Sequence, residues 1–384
     1  MRNPVPFDMV ERAQIKGMSE VRYISGQGHT LLQESMLQSV RQESRGDFPV
    51  GPDGNKVYPV LCISGGGSNG AYGAGFLKGW SKEGSRPAFK IVTGVSTGAI
   101  IAPFAFLGKE YDAVLEEYYT TTRTKDVIVG KGIFSILFGD SLVSTKPLEN
   151  SIERIFDRKV IDMVAAEHRR GRRLFVGSVN IDSQKLVIWD MGAIACRGDA
   201  KLFHKVILAS ASIPTMFPPV LFRVIAEGNE YDEMHVDGGT ITQVFGIYGL
   251  LEHMQGAAEV SGLDPAKVKA KLYIIRNGYA SSRYEQVKDR LSFIAVRSID
   301  TILNAQGVGD TYRIYVNAKK RGSDFNLAFI PPDFAPRPKE MFDPVDMRRL
   351  FDCGYRDAAK GYRWYKEPPT QVVSDEPAAA QGAQ

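Results

Sequence analysis

The chain has 384 residues and a formal net charge of +4, with 43% hydrophobic and 24% charged residues. This is the balance of a globular protein with an apolar core, in one large domain or two ordinary ones, and the charge is too small to point to nucleic acid as a partner. Three cysteines far apart (Cys62, Cys196, Cys353), with no CxxC or Cys/His spacing, argue against a disulfide framework and a structural zinc site.

Residues 1–55 are polar and weakly periodic. They read as an N-terminal extension with one helix near Leu31–Gln42, closed by a Gly/Pro/Asp-rich stretch. Lys56–Ile63 then reads as a buried strand, followed by glycines and a helix over Ala71–Glu83. Lys90–Thr93 is a second strand, leading through Gly94-Val95-Ser96-Thr97-Gly98 into a helix over Ala99–Leu107, which Pro103 interrupts. Two strands, Arg173–Val179 and Lys185–Trp189, flank a polar turn. Met234–Val236 is a short strand ending at Asp237, Lys271–Arg276 another, and Arg290–Leu303 a long helix. The alternation predicts an α/β layered domain over residues 56–365 with helices on both sheet faces. The end of the chain, residues 366–384, is expected to be disordered. No run approaches the roughly 18 apolar residues of a membrane span, and the first residues hold no hydrophobic signal segment.

Three motifs fall just after strands, where ligands bind in such sheets. Gly94 to Gly98 fits G-x-S-x-G, a strand-to-helix turn that holds Ser96 in strained backbone angles above the sheet edge. Gly94 and Gly98 keep strand and helix from colliding, and the N–H of Thr97 is placed to meet a developing oxyanion. Ser64-Gly65-Gly66-Gly67-Ser68-Asn69-Gly70 exposes backbone N–H groups. It also satisfies the dinucleotide pattern G-x-G-x-x-G, but the next strand runs into Ser96 rather than ending on an acidic residue. An oxyanion hole is the better reading. Asp237-Gly238-Gly239 puts a carboxylate at a strand end, able to point into the same cleft.

In this order the three motifs resemble those of patatin-like phospholipases: a G-G-G-x-[RK]-G loop, a G-x-S-x-G elbow and a D-G-[GA] aspartate. The stretch Ala209–Pro219 is similar to the helix-to-Pro segment that the family carries before its aspartate, and the likeness spans roughly residues 56–280. The resemblance implies a three-layer α/β/α sandwich with a central, mostly parallel sheet. It implies a catalytic Ser96–Asp237 dyad and an oxyanion hole from Gly65, Gly66, Gly67 and Thr97. It further implies hydrolysis of lipid acyl esters of phospholipase A, lysophospholipase or esterase type, with no cofactor and no metal. Asn69 departs from the family's Arg or Lys, and a neutral amide holds a phosphate less strongly. Gly70, Gly238 and Gly239 complete the motifs.

An unperturbed aspartate is a poor base toward serine, so Asp237 is expected to be desolvated. Rival readings are a Ser-Asp-His triad through His253, with His235 two residues from the aspartate, and a non-catalytic lipid-binding protein on the same fold. The expected partner is a lipid or acyl-ester substrate, with contact to a membrane surface an option and the oligomeric state open. The expected location is cytoplasmic, or a cell-envelope membrane surface if a lipoprotein leader was trimmed, because Arg2–Pro6 resembles the segment after such leaders. Arg169–Arg173 reads as a solvated helix end, and Phe134–Gly139 as a flap, a lipid-facing patch or a core turn.

Overall fold

A computed structural model describes residues 2–25, 30–44, 46–130, 143–214, 216–246, 250–260, 262 and 264–369. The strands, in chain order, are β1 (Arg22–Ile24), β2 (Lys56–Ile63), β3 (Ile91–Val95), β4 (Val129–Gly130), β5 (Val143–Ser144) and β6 (Arg173–Asn180). They continue with β7 (Lys185–Asp190), β8 (Val220–Ala226), β9 (Asn229–Asp237), β10 (Val268–Arg276) and β11 (Asp324–Phe329). β4 and β5 make a small ribbon, and the other nine form one sheet.

The centre of that sheet is parallel: β6, β3, β2, β10 and β11 lie side by side in that order. β7 and then β1 extend it antiparallel beyond β6, and the β8–β9 hairpin joins through β9. The central strands are apolar on both faces, as parallel strands covered by helices must be. In β2, Leu61 and Ile63 enter one core while Val60 and Cys62 enter the other. The first core receives α2 (Gly70–Glu83) and α3 (Thr97–Leu107). The second receives Leu32 and Met36 of α1 (Thr30–Arg41), Met254 of the helix Leu250–Val260, and Ile314 of the helix Leu291–Lys320. This is the three-layer α/β/α arrangement with a mostly parallel central sheet expected from the sequence.

Five strands escape the sequence pattern: β1, β4, β5, β8 and β11. β8 follows Pro218-Pro219 and buries only alternate side chains (Phe222, Val224, Ala226), while β11 is a short edge strand. The long helix runs on to Lys320, beyond the Leu303 end expected from the sequence and through Gly307 and Gly309. Gly307 makes a close approach there, since a Cβ would lie 3.2 Å from both the Arg276 guanidinium and Gln243 Cβ. From the N-terminal stretch, β1 joins the sheet edge and Arg22 pairs with buried Glu233 at 2.5 Å. The Phe134–Gly139 segment and residues 370–384 lie outside the described residues.

Candidate active site

β3 is buried along its whole length and delivers Ser96 at its end. Ser96 has φ +55° and ψ −124°, a conformation that a residue with a Cβ rarely holds without support. A Cβ on Gly94 would sit 2.3 Å from Gly98 O, and one on Gly98 would sit 2.4 Å from Ile63 O. Only glycine fits on either side of the turn. The Ser96 N–H donates to Ser210 Oγ (3.0 Å), and the Ser210 hydroxyl donates to Gly177 O (2.6 Å). The strained turn is thus tied to β6.

The glycine loop leaves β2 and is clamped by Asn277, the residue after β10. Asn277 N–H donates to Ser64 Oγ (2.8 Å) and its Nδ2 to Ser64 O (2.9 Å), while its Oδ1 accepts from Gly73 N–H (3.0 Å). Gly66 has φ +152°, and a Cβ there would lie 2.1 Å from Asn277 O. Gly67 has φ +57°, with nothing within 4 Å of where its Cβ would be. No described acceptor takes the N–H of Gly66 or Gly67. Gly65 corrects the sequence expectation, because its N–H already donates to Gln243 O at 2.9 Å and is not free for an oxyanion. Its part is to be small, since its Cβ would come within 3.2 Å of Ser96 Cβ.

Thr97 opens α3, where the first N–H groups lack helical acceptors, and Tyr119 OH donates to Thr97 O (3.1 Å). Gly70 leaves room for Thr97 Oγ1, which would be 2.3 Å from a Cβ there. Asn69 ends the short turn Gly67–Asn69 before α2, half-buried, and its side chain does not cap that helix.

β9 brings Asp237 from the opposite direction. Its N–H donates to Ser212 O (2.8 Å), and its Oδ1 accepts from Gly239 N–H (2.7 Å). Gly238 packs on β6, where a Cβ would meet Gly177 O at 2.4 Å, and one on Gly239 would meet Gln243 Nε2 at 2.2 Å. Burial pushes the Asp237 carboxyl up to about 7, against the opposing pull of the Ser96 hydroxyl and the Gly239 N–H. Oδ2 closes no hydrogen bond with a described group. The Ser96 hydroxyl is near enough to favour the ionised carboxylate.

His235 is occupied elsewhere. His235 is fully buried between Ser178 Oγ (2.9 Å from Nδ1) and Glu233 (3.1 Å from Nε2), and burial lowers its pKa. The helix bearing His253 is described, but its side chain lies outside the described residues.

Four supporting residues went unseen in the sequence as parts of the site: Ser210, Asn277, Gln243 and Asp310. Asp310 is fully buried, and its Oδ2 accepts from Gln243 N–H (2.6 Å) and Thr242 Oγ1 (3.0 Å). It thereby fixes the loop against which Gly65 rests. Only Ser210 had a signal, its place in the Ala209–Pro219 segment. The other three are lone polar residues in apolar or unpatterned surroundings.

Among the described residues no cluster of His, Cys, Asp or Glu could hold a metal ion, and no helix is long and apolar enough to cross a membrane. Residues 61–245 match the family model described as patatin-like phospholipase. A search of curated proteins found no match. Among solved structures, the chain is similar to VipD from Legionella pneumophila, at 12% identity and a TM-score of 0.37, over 82% of this chain and 69% of that one.

Proposed function

The chain belongs to the patatin-like phospholipase family, a family of lipid acyl hydrolases, through residues 61–245, and on that footing we propose that Ser96 and Asp237 form its catalytic dyad. The observation that carries this reading is their delivery to adjacent positions on β6: Val95 pairs with Gly177, and Asp237 with Ser178. A nucleophile on a strained turn thus meets a buried carboxylate whose pKa lies near 7, a fitting value for a base at neutral pH.

Asp237 takes the Ser96 hydroxyl proton as Oγ attacks the ester carbonyl carbon. The resulting oxyanion is held by the N–H groups of Gly66 and Gly67, with that of Thr97 at the helix start. Collapse expels the alcohol, which takes the proton back from Asp237, and leaves an acyl-Ser96. Asp237 next deprotonates a water, which attacks the acyl carbon; the bond to Ser96 Oγ breaks, Ser96 takes the proton back from Asp237, and the fatty acid leaves. Asn69 supplies an amide where a cation would grip a phosphate, favouring esters without an anionic head group. Substrates are acyl esters of phospholipase A, lysophospholipase or simple esterase type.

The test is turnover of p-nitrophenyl esters and phospholipids by wild type, Asp237→Asn and His253→Ala. Asp237→Asn should lose about three orders of magnitude or more in kcat, with His253→Ala near wild type. An equal loss in His253→Ala would replace the dyad by a triad.

A further inference from the structure

The stretch that leaves the site at Asn277 and returns to it at Asp310 carries an apolar surface that no described residue buries. We propose that it is a platform on which the chain docks onto an anionic lipid surface. This rests on the reading of the chain as a lipid acyl hydrolase and adds the place where the lipid phase is met.

The helix Leu291–Lys320 buries side chains only in its second half, among them Asp310, Thr311, Ile314 and Ala318, while Asn304 is tied to Arg276 (2.8 Å). None of the described side chains from 291 to 306 is buried. Leu291 is 84% exposed and Ile302 64%; Phe293, Ile294 and Val296 are also exposed, and Tyr284 on the approach is 94% exposed. Such a concentration is costly in water.

Its distribution favours lipid over a protein partner. At 100° per residue, Leu291, Ile294 and Ile302 share one side of the helix, while Phe293 and Val296 face the other. A helix partner covers one stripe, whereas a lipid phase wets several faces at once. Cations sit beside these groups. Lys288 Nζ lies 5.2 Å over the Phe293 ring, and Arg290 stands at the helix start. Among the described residues neither is ion-paired, and with Asp289 between them they leave a net positive charge at the helix start, which suits an anionic interface.

The two ends of the excursion tie the platform to the chemistry. Asn277 grips Ser64 and Gly73, framing the glycine loop. Asp310 grips Thr242 and Gln243, behind Gly65. A surface bound there meets the stretch of chain that runs between these two clamps of the site.

The test is co-sedimentation with phosphatidylcholine vesicles, with and without phosphatidylglycerol, using the full chain carrying Ser96→Ala. Lipid is then not consumed, and the outcome does not depend on whether Ser96 is the nucleophile. The parent should bind. Combined Leu291→Ser, Ile294→Ser and Ile302→Ser should weaken binding to both vesicles about tenfold or more, with unchanged circular dichroism and melting. Lys288→Glu with Arg290→Glu should weaken binding only where phosphatidylglycerol is present, and most at low salt. No binding by the parent, unchanged binding by both variants, or a triple variant that only turns a dimer into a monomer would each overturn the proposal.

Discussion

Asp237 pairs with Ser178 on β6 one residue beyond the point where Gly177 pairs with Val95, the residue before Ser96. β6 thus carries β3 for its first part and the antiparallel β9 for its last. The two strands meet nearly end to end, which brings a serine and a carboxylate together from chain positions far apart. Gly177 O sits at this junction, accepting from Ser210 Oγ and packed by Gly238.

Rate should follow the ionisation of Asp237. Its carboxyl is raised to about 7 by burial, and only the ionised form can take a proton. Then kcat/KM should rise with pH through about 7 with unit slope and level off above. A pH–rate profile flat from 5 to 9 (roughly the range in which an ordinary aspartate is already ionised) would contradict the assignment.

The same shift makes Asp237 destabilising at working pH. A carboxyl raised from 3.8 to about 7 on folding binds its proton more tightly folded than unfolded, so its contribution is greatest below pH 4 and is lost as pH rises to 7. Asp237→Asn should therefore be inactive yet more stable than wild type above pH 7, by up to about 4 kcal/mol, with the gain vanishing near pH 4. Urea melts of both proteins across pH measure this. A destabilised Asp237→Asn at pH 8 would show that the carboxylate is favourably held.

Ser210 braces the elbow without touching the reacting atoms in the proposed chemistry. Ser210→Ala leaves the buried Ser96 N–H without its acceptor, which costs about 1–3 kcal/mol of stability. It should also lower kcat about tenfold or more while KM changes little, since a small misplacement of the nucleophile is expensive. Steady-state kinetics separates the two. A change confined to KM would assign Ser210 to substrate binding.

Two glycines of one loop should respond differently to alanine. At Gly66 a Cβ would sit 2.1 Å from a carbonyl oxygen, so Gly66→Ala should displace the loop and abolish turnover. At Gly67 the space is open and only φ +57° opposes a side chain, a cost of about 1–2 kcal/mol. Gly67→Ala should fold and keep part of its activity. Thermal melting and ester turnover on both variants check this ordering.

How far the site was legible depended on whether a residue's role was local. Gly94, Ser96 and Gly98 lie within one turn, so spacing alone displayed them; a Cβ on Gly94 would meet Gly98, as the pattern implied, whereas one on Gly98 would meet Ile63 O of β2. Gly65 looked like an N–H donor from its place among glycines. Its amide is taken by Gln243, nearly 180 residues further on, and no local pattern reports that bond. Asn277 and Asp310 clamp the site from after β10 and from the long helix, and they became visible only once the sheet order placed them. β8 was missed because half its side chains face solvent, and the long helix runs past its expected end through Gly307, which packs beside Arg276 and Gln243.

The most direct test of the account is labelling by a fluorophosphonate probe, with mass spectrometry to locate the adduct. Wild type should carry one adduct on Ser96, forming faster as pH rises through about 7, with none on Ser96→Ala and sharply slower labelling of Asp237→Asn. A wild-type chain that stays unlabelled, or an adduct that persists in Ser96→Ala, would contradict it.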